Sequence, residues 1–152
     1  MDSDWRGLEV WDNSYVNING CWAASSDMEN IWVSPQSRTA LLAINGGTIF
    51  NAGVLGGDPS AGQCNGITVN AGSFVLTGVA VRNNKGIGIW ALGSADNYIV
   101  SGNQIFSNGI GARLESGDAY TVVGNVFHDN AGASSLGSGK SAAVANNAFN
   151  KQ

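Results

Sequence analysis

The chain has 152 residues, a size that fits one domain. Seven Lys and Arg residues against eleven Asp and Glu residues give a formal net charge of −4, which argues against a nucleic-acid partner. Only 12% of the residues are charged while 22 are glycine, so the composition favours many turns and short strands over a helical bundle or a disordered tail.

The first residues of the chain carry no targeting signal that we recognise. Met1 to Asp4 is acidic, without the basic and apolar regions of a secretory signal, so we expect no signal peptide here. The longest apolar run, residues 40–44, is far below the ~18 residues of a membrane helix, and we expect no membrane insertion. Cys21 and Cys64 lack metal-site spacing and are interpreted as packed or free thiols.

Short alternating segments recur from the start of the chain. Each has the period-two apolar pattern of a β-strand and is flanked by Gly, Asn or Ser. These segments are residues 7–11, 30–33, 66–69, 86–90 and 111–114. None is long enough to bury a face alone, so they must stack on one another.

A second repeated segment alternates with the first. Its copies are residues 15–22, 43–51, 74–84, 98–108, 120–130 and 143–149, the last three being 22 residues apart and the earlier steps longer. Tyr98 and Tyr120 match in register, as do Gly102 and Gly124. This repetition predicts an all-β, single-stranded parallel β-helix over residues 1–152, with about five coils of 22 or more residues. A β-sandwich is less favoured, because its strands need not repeat at a fixed step.

The repeat also predicts where the scaffold and the binding surface lie. Asn103, Asn125 and Asn147 occupy one coil position and should stack at a bend, where asparagine tolerates a left-handed backbone. Extra residues interrupt the repeat near positions 34–39 and 53–63, and insertions in a solenoid commonly build its binding surface.

Five tryptophans stand out in so short a chain. Trp22 and Trp32 are candidate sugar platforms, because an exposed indole ring can pack on the apolar face of a sugar. Arg38 lies near them in sequence and is a candidate substrate-binding residue. The alternative is that tryptophans fill the coil interior or an interface between subunits.

Two pairs of carboxylates are candidate catalytic groups for glycoside hydrolysis. Asp96 and Asp118 are 22 residues apart and should stack about 5 Å apart in adjacent coils, as a catalytic pair requires. They could instead be turn residues or hold calcium, with Lys140 one further step along as a counter-charge. The second pair, Asp27 and Glu29, would share a face of an extended segment.

A lyase would need a basic residue beside carboxylates. Arg113 with Glu115 and Asp118 is the one local arrangement of that kind, and we treat Arg113 and Glu115 as candidate substrate-binding residues. His128 is interpreted as a scaffold residue. No phosphate-binding loop or metal-ligand cluster stands out, so we expect no cofactor.

The units Asn45 to Asn51, Asn65 to Asn70, Gly102-Asn103 and Gly124-Asn125 resemble the right-handed parallel β-helix of bacteriophage tailspikes and tail fibres, in the pectate-lyase-like superfamily. The resemblance implies right-handed coils, homotrimers and recognition of bacterial surface polysaccharide. It also implies depolymerase activity in many members, by hydrolysis or elimination, and a location in the virion tail after assembly in the host cytoplasm.

Three interpretations stay open on the sequence alone. The chain is expected to be a module or fragment of a longer β-helix protein, because neither end has an amphipathic cap. Whether it degrades the glycan is undecided. The alternatives are a non-catalytic structural stalk, or a bacterial carbohydrate-active β-helix protein such as a lyase, hydrolase or epimerase. The small number of basic residues disfavours tight binding of strongly anionic glycans.

Overall fold

The computed structural model describes residues 5–114, 117–137 and 140–150. These residues form fourteen β-strands and one short 3-10 helix, Pro59–Ala61. The strands are β1 (Leu8–Val10), β2 (Tyr15–Ala24), β3 (Ile31–Val33), β4 (Leu41–Phe50), β5 (Ile67–Thr77), β6 (Ala80–Arg82), β7 (Ile87–Ala95), β8 (Tyr98–Ser101), β9 (Gln104–Phe106), β10 (Ile110–Leu114), β11 (Ala119–Val123), β12 (Val126–His128), β13 (Ser141–Ala145) and β14 (Ala148–Asn150).

The strands form the three faces of a solenoid. Face 1 contains β1, β3, the start of β5, β7 and β10. Face 2 contains the first half of β2 and of β4, the end of β5, then β8, β11 and β13. Face 3 contains the second half of β2 and of β4, then β6, β9, β12 and β14. Each coil visits the faces in this order, and the paired strands are parallel.

The register of face 3 confirms the repeat. The column of paired residues is Trp22, Thr48, Ala80, Gln104, Val126 and Ala148, with steps of 26, 32, 24, 22 and 22 residues. The predicted parallel β-helix is therefore confirmed. The described residues make six coils, one more than the five expected, because the irregular first segments also complete a coil.

The interior is a column of stacked apolar side chains. On face 2, Phe74, Tyr98 and Tyr120 stack with ring centroids 4.7 Å apart in each step. Parallel in-register pairing places like residues about 4.8 Å apart, which is the spacing an aromatic stack needs. Burial raises the pKa of the Tyr98 phenol, because the interior disfavours the charged form.

Two columns of buried asparagine close the corners between faces. Between faces 2 and 3, the amide nitrogen of Asn103 donates to Oδ1 of Asn125 at 2.9 Å, and Asn125 donates to Asn147 in the same way. Between faces 3 and 1, Asn84, Asn108 and Asn130 repeat the arrangement; the Asn84 to Asn108 amide bond is 2.9 Å.

The predicted stacking of Asn103, Asn125 and Asn147 is confirmed, but the predicted reason is wrong. The left-handed backbone belongs to the residue before each of them: Gly102, Gly124 and Asn146, with φ of 62°, 66° and 53°. The turn at that residue directs the following asparagine inward. Its amide then satisfies backbone groups that the corner leaves without strand partners, such as the carbonyl of Val100, which accepts from Asn125 at 2.9 Å.

The largest insertion is the loop of residues 51–66, at the corner between faces 3 and 1. Asp58 begins the short 3-10 helix by accepting hydrogen bonds from the amide and hydroxyl of Ser60, and these bonds lower the pKa of its carboxyl. The insertion at residues 34–39 lies at a different corner, between faces 1 and 2. Among the described residues, no helix is long and apolar enough to cross a membrane.

We expect Asn125→Ala to lower the free energy of unfolding by roughly 3 kcal/mol, because it leaves the buried backbone N–H of Asn103 and the carbonyl of Val100 without partners. The matched control is Asn19→Ala, which removes an asparagine whose side-chain hydrogen bonds are exposed to solvent. It should change stability by less than about 0.5 kcal/mol. Urea unfolding measures both, and equal losses would contradict a structural role for the buried column.

Candidate functional site

The outward side chains of face 1 form one column across the coils. Strand register places Glu9, Trp32, Thr68, Trp90 and Arg113 next to one another in that order. Adjacent strands are about 4.8 Å apart, so Trp90 and Arg113 are immediate neighbours on the surface. This column holds two of the five tryptophans.

The loop of residues 51–66 lies across the middle of this column. The side-chain nitrogen of Asn65 donates to the Thr68 hydroxyl at 3.0 Å, and its oxygen accepts from the amide of Ile87 at 2.7 Å. Thr68 is therefore buried beneath the loop. At Gly62 the loop passes so close to Trp90 that an added Cβ would lie 3.5 Å from the indole ring.

A groove of about 390 Å³ opens beside the loop. The loop forms one wall through Pro59 and Ser60, and Trp90, Lys85 and Arg113 also line the groove. Lys85 and Arg113 are exposed, and within the described parts of the chain neither forms a salt bridge. The groove thus combines a partly buried indole ring with two cations that have no salt-bridge partner among the described residues.

A second aromatic cluster lies at the other end of face 1. The Arg6 guanidinium stacks on Trp32, with its carbon 4.2 Å from the ring centroid, and binds Glu29 at 2.8 Å and Glu9 at 3.1 Å. Trp11 meets Trp32 edge to face at 5.2 Å. The single cation of this cluster is therefore paired with two carboxylates, which leaves the cluster no free positive charge.

The first predicted carboxylate pair lies on adjacent coils. Asp96 Oδ1 accepts from the backbone amides of Ala119 at 2.9 Å and Asp118 at 3.1 Å, and these backbone bonds lower the pKa of Asp96. Asp118 is exposed, and its carboxylate lies 3.8 Å from the amine of Lys140, the predicted counter-charge. The arrangement matches the turn interpretation, and the catalytic role of the pair stays a prediction.

The second predicted pair lies beside the loop and not in the groove. Residues 27–30 are bent, so Asp27 and Glu29 do not sit on an extended strand as the prediction assumed. Glu29 is buried and bound to Arg6. Asp27 Oδ1 is buried without a hydrogen-bond partner among the described residues. Neither carboxylate lines the groove.

The predicted binding residues are spread over the surface. Trp22 is 69% exposed on face 3 and Trp32 lies on face 1, so they do not form one platform. Arg38 is exposed at the corner between faces 1 and 2. Arg113 lines the groove, whereas Glu115 lies outside the described residues.

The sequence did not predict Lys85 as a binding residue, and it favoured Trp22 and Trp32 over Trp90 as sugar platforms. A signal was present: Gly86-Ile-Gly-Ile-Trp90 recurs 23 residues later as Gly109-Ile-Gly-Ala-Arg113. That match places Trp90 beside Arg113, as the strand register does. The position of the loop against Trp90 had no comparable signal.

A protein-family model described as "Periplasmic copper-binding protein (NosD)" matches residues 2–152. The chain belongs to this family. The comparison with curated proteins and the comparison with solved structures gave no match. The resemblance stated above is thus confirmed at the level of the parallel β-helix, whereas membership of the phage tailspikes is not supported. The predicted location in a virion tail is wrong, because NosD is a periplasmic family.

The copper of the family description does not fit the donors that the structure describes. Copper favours clustered thiolate, thioether and imidazole ligands. Cys21 is exposed, while Cys64 is fully buried, and burial raises the pKa of its thiol. His128 stacks on Phe106, and its Nδ1 lies 2.8 Å from Asp129. Across residues 5–114, 117–137 and 140–150, no three His, Cys, Asp or Glu side chains group as a metal site.

Asp96 should make stability depend on pH. Its pKa is lowered in the folded chain, so the stabilisation is present above the unfolded value near 3.9 and is lost as pH falls through the folded value. We expect Asp96→Asn to flatten the fall in unfolding free energy between about pH 5 and pH 2. Urea titrations at several pH values measure it, with Asp118→Asn as the control. An unchanged slope in Asp96→Asn would refute this role.

Proposed function

We propose that this NosD-family β-helix binds bacterial polysaccharide in the groove on face 1. The observation that supports the proposal is the position of Trp90, partly buried between the inserted loop and Arg113. An indole ring held in place by its neighbours offers a flat apolar surface to a sugar and loses little entropy on binding. The cationic groups beside it give the polar contacts that fix orientation.

The size and setting of the groove agree with an oligosaccharide ligand. Its volume of about 390 Å³ lies within the range of small-molecule sites, roughly 300–1,000 Å³. It is built on rigid strands on one side and on a loop on the other. The loop is attached to neighbouring coils by two hydrogen bonds. The side-chain oxygen of Asn65 accepts from the amide of Ile87, and Cys64 Sγ lies 3.6 Å from the carbonyl oxygen of Asp27. The wall is therefore preformed.

The proposed activity is binding without cleavage. Glycoside hydrolysis needs two carboxylates placed roughly 5 to 9.5 Å apart on either side of the bond that breaks. The residues that line this groove include no Asp or Glu within the described parts of the chain. The polysaccharide recognition implied by the tailspike resemblance is thus retained, but for a protein of a bacterial periplasmic family and not for a virion component.

Trp90→Ala should weaken glycan binding at least tenfold, equivalent to about 1.4 kcal/mol, because it removes the stacking surface. The first measurement is retention of the chain on a panel of bacterial polysaccharides, followed by calorimetry with oligosaccharides of those retained. Trp22→Ala is the matched control, since it removes a 69% exposed indole from face 3.

Trp90→Phe separates folding from recognition. It keeps an aromatic surface and should retain most of the affinity, and urea unfolding of each variant verifies its fold. No retention on any polysaccharide would overturn the proposal, as would equal losses in Trp90→Ala and Trp22→Ala. Release of reducing or unsaturated ends would show an enzyme instead.

We also propose that copies of the chain associate through face 2, as the homotrimer implied by the resemblance requires. The face 2 segments of the six coils contain no charged residue, and Ile99 at their centre is 43% exposed. Charged residues are depleted at the centres of subunit interfaces. Faces 1 and 3 differ, since they carry Arg113 and Arg82 respectively.

Light scattering should give the mass of a trimer for the wild-type chain, and Ile99→Glu should lower it to that of the monomer, because an unpaired charge would be buried at the interface. Gln104→Glu adds the same charge on exposed face 3 and should leave the mass unchanged. A monomeric wild type, or a trimer that survives Ile99→Glu, would refute the use of this face.

A further inference from the structure

We infer that the face 1 groove selects acidic polysaccharides, with Lys85 and Arg113 binding the carboxylate of a sugar stacked on Trp90. This inference rests on the proposed function and names the class of glycan. It differs from the expectation drawn from net charge, because a formal charge of −4 describes the whole chain and not one groove.

First, within the part of the chain that the structure describes, neither cation has a salt-bridge partner. Of the other basic residues that the structure describes, Arg6 binds two glutamates, Lys140 lies near Asp118 and Arg82 stacks on Phe50. Arg38 has no salt bridge among the described residues either, but it lies at the corner between faces 1 and 2 and does not line the groove. Lys85 and Arg113 form no salt bridge with any described carboxylate, yet both line the same groove. Like charges placed together without a partner favour the binding of an anion from outside.

Second, two acidic side chains near the groove, Asp58 and Asp129, are hydrogen-bonded to neighbouring residues. Asp58, at the start of the loop wall, accepts two hydrogen bonds from Ser60, 2.8 Å from its amide and 2.7 Å from its hydroxyl. At the corner below Lys85, Asp129 is bound to His128 at 2.8 Å. Neither carboxylate lines the groove, so Lys85 and Arg113 are the charged side chains among the described residues that line it.

Third, Arg113 pairs with Trp90 in strand register, so their backbones lie one strand spacing, about 4.8 Å, apart, and both side chains line the groove. A guanidinium binds a carboxylate with two parallel hydrogen bonds, whereas an ammonium acts as a point charge that adapts to its position. A sugar ring on Trp90 can therefore present a carboxylate to Arg113 and Lys85, which line the same groove.

The test compares acidic oligosaccharides with the same oligosaccharides after reduction of each carboxylate to an alcohol. The set includes oligogalacturonate, oligoalginate and hyaluronan fragments, with sulfated but uncarboxylated fragments as a separate arm. Calorimetry at low and high salt should show at least tenfold tighter binding of the carboxylated form at low salt. The difference in affinity between the carboxylated and the reduced form should decrease as the salt concentration rises, because salt screens exposed charges.

Lys85→Gln and Arg113→Gln should each weaken binding of the acidic form three- to tenfold and leave that of the reduced form unchanged. Arg82→Gln makes the same charge change on face 3 and should have no effect. Equal binding of both forms, with Trp90→Ala weakening both, would overturn the acidic selection and keep the proposed function. Tighter binding of the sulfated arm would overturn the carboxylate assignment. Absence of binding to every form would overturn both proposals.

Discussion

The structure depends on the in-register stacking of parallel coils, and the buried asparagine columns hold that register at the corners. A strand pairs its backbone groups with the coils on either side, whereas a corner leaves some of them, such as the N–H of Asn103 and the carbonyl of Val100, to side-chain partners. Each such group would cost free energy if it stayed unpaired in the interior. Asn103, Asn125 and Asn147 supply the missing donors and acceptors at one corner, and Asn84, Asn108 and Asn130 at another. Stacking of Tyr98 on Phe74 and Tyr120 at 4.7 Å follows from the same register.

The same regularity explains why the candidate site lies where it does. A uniform solenoid presents a flat, repetitive surface, so a concave site needs a departure from the repeat. The 32-residue step between Thr48 and Ala80 is the largest departure, and its extra residues form the loop over Thr68. That loop turns the exposed surface beside Trp90 into a groove with a wall. Strand pairing then places Arg113 beside Trp90.

Membership of the NosD family accounts for the fold and for the periplasmic assignment, but the donor set of this chain points to a different chemistry. A copper site needs sulfur and imidazole ligands that converge, and Cys21, Cys64 and His128 do not form one. Cys21 is exposed, Cys64 is fully buried, and the His128 ring is bound to Asp129. The groups that do converge are an indole, an ammonium and a guanidinium. Their chemistry suits an anionic sugar, and the proposed function follows from these residues and not from the family description.

The sequence by itself determined the parallel β-helix, the number of residues in each step and the stacking of Asn103, Asn125 and Asn147. In a solenoid each coil pairs with a similar coil, so residues that recur at the repeat distance are the residues in contact. It placed residues 53–63 in an insertion, and it predicted Arg113 as a binding residue. Only the tertiary structure decided that Trp22 and Trp32 lie on different faces, that Glu29 is bound to Arg6, and that Lys85 and Trp90 share a groove. The reason is physical: the repeat fixes strand neighbours, whereas an inserted loop and the ion pairs beside it follow no period.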